Sequence, residues 1–264
     1  MRTMIAPEQL LNIVANLERS NQRPAAVAVL RNVLRDRPND VRALVLMAEL
    51  ALKENHCEAA LVLLGKALAV AADDEHARRL LHATALEQGP VLLDEGRNED
   101  AAAICAQAEE AGIPDPRLVH NRGLALQRLE RLDGATQAFR YALAISPNLP
   151  DTAFQLGKCL YLRGLAESAA MSLRRSLILS PGDPDSWLTL GSVLESQADF
   201  AKAETACRRA IRVGASHALA HMRLGQALAR RGLLAEGFAA MEWRHRLAGA
   251  HHPPALFPQP QWDG

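Results

Sequence analysis

Large apolar residues recur along this chain on a frame of 34 positions, with small residues at fixed offsets between them. From Pro116 onward the frame runs without slippage. Gly123, Gly157, Gly191 and Gly225 stand 34 residues apart, as do Ala135, Ala169, Ala203 and Gly237, and as do Phe139, Leu173, Cys207 and Met241. Within a frame, large apolar groups take the fourth, seventh, eleventh and twenty-fourth positions, glycine or alanine the eighth, and a small residue the twentieth; Pro147 and Pro181 take the thirty-second. A helix–turn–helix unit needs these residues: the small groups let two helices approach, the large ones fill the space between them, and the proline stops the second helix. A fixed period in this range is the signature of a stacked array, because one helical hairpin cannot bury its apolar face alone.

The frame extends backwards in weaker form. Residues 7–40 carry Leu10, Ile13, Leu17, Ala26, Leu30 and Pro38 in register, and residues 41–74 carry Leu44, Met47, Ala48, Ala60, Leu64 and Ala67. The frame then jumps by seven residues, and 82–115 resumes it with Gly89, Leu92, Ala101, Cys105 and Ala108. Glu75 to Leu81 fit a lengthened first helix in this third unit, and Pro90 inside that helix predicts a kink or break. The remaining units are 116–149, 150–183, 184–217 and 218–251, followed by a Pro-rich tail, 252–264. The expected fold is all-α: a right-handed superhelical solenoid of about seven helix–turn–helix repeats.

Composition agrees. Apolar residues make up 49% of the chain but aromatics only 4%, which suits thin interfaces built from alanine and leucine. No sustained alternation of β-branched residues argues for a strand. No stretch approaches the 18 or so apolar residues of a membrane span, and Met1 to Pro7 does not read as a secretory leader. Cys57, Cys105, Cys159 and Cys207 lie in four different units and form no CxxC pair. They are expected to be reduced, structural thiols in a cytoplasmic setting.

The spacing of small, large and proline positions resembles the tetratricopeptide repeat family, whose unit is 34 residues of paired antiparallel helices. Residues 184–217 match best, with Trp187, Leu190, Gly191, Leu194, Ala203 and Ala210 in register. The resemblance implies that the first helix of each unit lines a concave groove that binds a protein or peptide. Transferred to this chain, the groove positions are His120, Asn121, Leu124 and Arg128; then Phe154, Gln155, Lys158 and Tyr161; then Leu188, Thr189 and Ser192; and finally Met222, Arg223, Gln226 and Arg230. Phe154 and Tyr161 are seven apart and share a helix face. Aromatic and methionine side chains on a polar surface suit an extended peptide or a partner helix; packing against the neighbouring unit is the other reading for Phe154, Leu188 and Tyr161.

Two binding modes of that family can be checked. A clamp on a peptide C-terminal carboxylate wants lysine at the fifth position, which here reads Leu11, Val45, Leu86, His120, Phe154, Leu188 and Met222; the clamp is missing. A ladder of asparagines along the sixth position survives only in part, as Asn12, Asn121 and, chemically close, Gln155.

Other chemistry is sparse. The sequence contains no GxGxxG, GxxxxGK[ST], HExxH or GxSxG, so neither an active site nor a cofactor is implied. His217 and His221 are four apart, yet no third ligand accompanies them, and ordinary surface histidines are the better account. Formal net charge is zero, but residues 73–115 hold eleven acids against three arginines, while 205–250 hold eight arginines against Glu236 and Glu242. Two readings stand: solvated helix faces, or a dipolar array whose basic end meets an acidic partner or domain. Nucleic acid is a poor candidate, since the basic region lacks interleaved aromatics.

At the C-terminal end, Gly237 through Glu242-Trp243-Arg244 leads into Phe257-Pro258-Gln259-Pro260-Gln261-Trp262-Asp263-Gly264. This resembles the junction in bacterial proteins that join tetratricopeptide repeats to a glycosyltransferase domain. The resemblance implies that the array recruits a glycosylation acceptor for a catalytic domain following Gly264. The alternatives are a plain capping helix with a tail, and a stand-alone bacterial scaffold that self-associates through its groove or ends.

Overall fold

A computed structural model of the chain describes residues 7–112, 114–214 and 218–243. Among the described residues there are fourteen α-helices and no strand. They pair as consecutive hairpins: α1 (Pro7–Arg19) with α2 (Arg23–Asp36), α3 (Val41–Lys53) with α4 (Cys57–Val70), and α5 (Glu75–Asp94) with α6 (Asn98–Glu110); α7 (Pro116–Arg128) packs on α6, and α8 (Leu132–Ile145) packs on the helix that follows it. Then follow α9 (Pro150–Leu162) with α10 (Ala166–Leu179), α11 (Pro184–Ser196) with α12 (Phe200–Val213), and α13 (Ala218–Arg230) with α14 (Leu234–Met241). The helices fall into two compact units, one ending at Arg131 and the other beginning at Leu132.

The same local chemistry ends the first helix of every hairpin. Asn21, Asn55, Gly96, Glu130, Gly164, Ala198 and Gly232 all have φ between +54° and +85°. The N–H of the next residue reaches back five positions to a helix carbonyl: Gln22 to Leu17 at 2.8 Å, Arg97 to Leu92 at 2.9 Å, Asp199 to Leu194 at 3.0 Å, and likewise at the other four turns. This 6→1 bond through a left-handed residue is the Schellman motif, which satisfies carbonyls that the helix end would otherwise leave open. Starts are also set by side chains. Asp40, Asp74, Asp115 and Asp183 each accept a backbone N–H from the first turn of the helix that follows.

In the first unit, Leu10, Val14 and Leu30 pack with Leu46 and Leu50, and a second cluster runs from Leu44 and Leu64 through Leu81 and Cys105 to Leu118. In the second unit Leu173 is fully buried at the twenty-fourth position of its frame, with Phe139 at the corresponding place in α8. Helix crossings are close where the frame places small residues. A Cβ added to Gly225 would lie 2.5 Å from the carbonyl oxygen of Gly237, so α13 and α14 touch backbone to backbone. Gly191 faces the Sγ of Cys207 instead, at 3.0 Å from such a Cβ.

The third hairpin is the irregular one. α5 has 20 residues where every other first helix has 13. It begins at Glu75 and continues through Pro90 without the break expected there. Pro90 is exposed, so the hydrogen bond it removes is lost on the solvent side, where water can take up the freed carbonyl.

Candidate functional site

The sequence-derived groove positions form one group in each unit. In the second unit they lie on the three consecutive first helices α9, α11 and α13. On α9, Phe154, Gln155, Lys158 and Tyr161 are all half-buried, and the Lys158 ammonium sits 5.4 Å from the centroid of the Phe154 ring, within cation–π range. On α11, Thr189 and Ser192 are half-buried, and Ser192 Oγ donates to the Leu188 carbonyl at 3.3 Å. On α13, Met222, Arg223 and Gln226 are half-buried and Arg230 is exposed. Arg223 ties α13 to α11 through Glu195 at 3.7 Å and donates to Gln226 Oε1 at 3.3 Å.

Leu188 does not belong to this surface. It is 7% exposed and packs with Ala210 and Ala220, against Trp187, Ile211 and Leu219. Ala220 on the next hairpin is small enough to let α13 close over it, so the fifth position of α11 becomes core.

Two buried polar atoms on this face find no hydrogen-bond partner among the described residues: Gln155 Oε1, an acceptor, and Arg223 Nε, a donor. An unsatisfied buried group of this kind costs about 1–3 kcal/mol. A peptide backbone offers alternating N–H and C=O groups and could satisfy both. Lys158, Arg223 and Arg230, with Glu195 as counterion, leave the face cationic.

In the first unit the group sits on α7. Asn121 lies against α5, where a Cβ on Gly89 would be 3.5 Å from its Nδ2. Leu124 packs partly on the core, His120 is half-buried, and exposed Arg128 donates to the backbone carbonyl of Leu93. Arg122 pairs with Glu109 at 2.8 Å. Much of this group's polar capacity is thus engaged within the fold.

Other reactive groups are quiet. All four cysteines are free. Burial pushes the thiols of Cys105 and Cys207 up to about 12 and that of Cys159 up to about 11, which keeps them protonated and unreactive. Asp115 is lowered: burial opposes its charge, but hydrogen bonds from Arg117 outweigh that effect. His82 Nε2 lies 3.3 Å from its carboxylate. No group of three or more His, Cys, Asp or Glu among the described residues could hold a metal ion, and none of the described helices is long and apolar enough to cross a membrane. His217 and the segment 244–264, with Trp262 and the Phe257–Gly264 part of the transferase-like junction, lie outside the described residues. Trp243 stacks on His221 at a centroid distance of 3.8 Å and 4° between planes, which seats it on α13.

Family models described as tetratricopeptide repeat match residues 19–83, 86–150 and 188–242, together more than half of the chain. The chain belongs to the tetratricopeptide repeat family. No curated protein matches it in sequence. Solved structures with the same fold include a MamA protein (16% identity, 63% of this chain and 91% of that one, TM-score 0.59) and MamA from residue 41 onward of Desulfovibrio magneticus RS-1 (20%, 64% and 97%, TM-score 0.58). Another is YrrB, described as a tetratricopeptide repeat protein with an unusual peptide-binding site (22%, 72% and 95%, TM-score 0.55).

The tetratricopeptide frame missed some surface features. Met171 and Ile178, seven apart on α10, are 63% and 79% exposed. Their signal in the sequence was apolar side chains at positions where the frame expects polar ones.

Proposed function

We propose that this chain is a protein-recognition module that holds an extended peptide segment of a partner on the face of α9, α11 and α13. One observation carries the reading: Phe154 and Tyr161 on α9 and Met222 on α13 are half-buried, and the same helices carry two buried polar atoms, Gln155 Oε1 and Arg223 Nε, that have no hydrogen-bond partner among the described residues. Aromatic and methionine groups supply contact area, and the unsatisfied amide and guanidinium groups supply directional bonds to a backbone. Lys158, Arg223 and Arg230 favour acidic segments. The fold shared with YrrB, described as having a peptide-binding site, agrees with this. Three buried, unpaired thiols suit a reducing compartment, the cytoplasm.

The test is selection of binders from a displayed random-peptide library by the purified chain, with affinities measured by fluorescence anisotropy. Enriched peptides should lose at least about tenfold in affinity to Phe154→Ala/Tyr161→Ala and to Arg223→Ala, with helical circular dichroism unchanged. An empty selection, or peptides indifferent to these substitutions, would refute the assignment.

Within this reading, the narrower assignment is the acceptor-recruiting region of a bacterial protein glycosyltransferase. Its support is the junction-like pair of segments Gly237 to Arg244 and Phe257 to Gly264. Such a module would act by raising the local concentration of acceptor beside a catalytic domain. A reading frame that continues past Gly264 into an α/β domain would uphold it, and one that ends there would leave a stand-alone scaffold.

A further inference from the structure

The lengthened α5 creates a ledge. Its seven extra residues correspond to about 10 Å of helix rise, close to the 10–12 Å width of an α-helix with its side chains. An open cleft of about 1040 Å³ lies there, between the start of α4, the last turns of α5 and the first half of α6. Its floor is apolar: Val62 and Val91 are 58% and 45% exposed, and Ala59 and Ala103 stand open beside them. Its rim is acidic. Arg97 bridges Glu58 at 2.6 Å and Asp100 at 2.7 Å, with Glu95 at 3.8 Å, so one guanidinium answers three carboxylates. Asp94 and Glu99, the exposed sequence neighbours of the rim residues Glu95 and Asp100, carry two more negative charges next to it, and neither forms an ion pair among the described residues.

The same chain carries a surface of opposite character. The outward face of α12 presents Ala201 and Thr205 together with Arg208, Arg209 and Arg212, all exposed. Arg208 is held by Glu204 at 2.9 Å, whereas Arg209 and Arg212 have no counterion among the described residues. This is a helix of the right width with small side chains on its outward face and two uncompensated positive charges.

We propose that the α4–α5–α6 ledge of one copy receives the α12 face of a second copy, so that copies of the chain join head to tail. Charge complementarity within one sequence carries the argument: the acidic ledge and the basic helix are different surfaces of a molecule whose net charge is zero. Because the two surfaces differ, the contact is heterologous, and each added copy leaves a free ledge and a free α12 face. Growth therefore continues with concentration unless a ring closes. The contact does not involve the α9–α11–α13 face and stands apart from the peptide-binding proposal.

Sedimentation velocity of the full chain over rising concentration, at about 50 mM and about 500 mM salt, tests this, because screening at high salt weakens exposed pairs. Average mass should rise with concentration at low salt and fall towards the monomer at high salt. Glu95→Lys/Glu99→Lys and, separately, Arg209→Glu/Arg212→Glu should each weaken association by at least about tenfold, since like charges then face each other. All four substitutions in one chain should restore it. Circular dichroism confirms that each variant is folded. A chain that stays monomeric at low salt, single-side reversals without effect, or a fourfold reversal that fails to restore association would each overturn the proposal. So would a monomeric chain whose ledge instead binds a fluorescein-labelled, lysine-rich amphipathic helical peptide, because the occupant would then be another protein's helix.

Discussion

Ala198 occupies the left-handed turn of the sixth hairpin with φ of 60°, the conformation that Gly164 adopts at φ 76° one repeat earlier. An L-residue with a Cβ pays about 1–2 kcal/mol for that region, because Cβ crowds the following carbonyl. Glycine avoids this penalty but gives up some unfolded-state restriction, about 0.5–1 kcal/mol. Ala198→Gly should therefore stabilise the array by about 0.5–1 kcal/mol, and Gly164→Ala should destabilise it by a similar amount. Gly164 makes a clean mirror experiment: a Cβ there would meet nothing within 4 Å, so the change is purely conformational. For a chain of this length the expected displacement in thermal midpoint is about 2 °C up and about 2 °C down. Repeat arrays unfold in more than one step, so helical circular dichroism should be recorded in both urea and heat, with the two variants compared in the same buffer. Ala198→Gly that lowers the midpoint, or Gly164→Ala that leaves it unmoved, would refute the reasoning, since both follow from one backbone angle.

Further outcomes follow from packing. Gly225→Ala places a methyl group 2.5 Å from the Gly237 carbonyl and should destabilise the last hairpin by about 1–3 kcal/mol despite alanine's better helix propensity, whereas Gly65→Ala in α4, with open space around it, should gain up to about 1 kcal/mol; thermal unfolding of the pair checks both. In the folded chain at pH 8 only half-buried Cys57 should react with iodoacetamide, and all four thiols should react after denaturation, as read by intact mass. The buried thiols also set a pH dependence. Their folded pKa values of about 11 to 12 lie above an unfolded value near 9, so the folded state keeps protons that the unfolded state releases. Stability should therefore fall as pH rises above about 9, and Cys105→Ala/Cys207→Ala should flatten that fall in urea titrations.

Helix placement was legible because close crossings demand small residues: the glycines and alanines of the frame mark where α9 meets α10 and α11 meets α12. Leu188 was misassigned because its burial depends on the size of Ala220 in the next hairpin, 32 residues away. The turn at Asn21, Asn55 and the three glycines has a readable signature, but Glu130 and Ala198 adopt the same conformation with no residue preference to announce it. Pro90 looked disruptive in isolation; its exposed place on a packed helix makes it tolerable. For the recognition face, the sequence offered the aromatic residues, whereas the unpartnered atoms of Gln155 and Arg223 emerge only from three-dimensional packing.

The extra length of α5 also has a rotational meaning. Seven residues at 3.6 per turn come within about 20° of two full revolutions, so Ala77 and Leu81 near the start of α5 and Leu92 near its end all face one buried cluster. An insertion of five would have swung the downstream apolar stripe through about 140° and turned charged side chains inward. The angular economy of the number seven lets one hairpin grow taller while its neighbours keep their bearings.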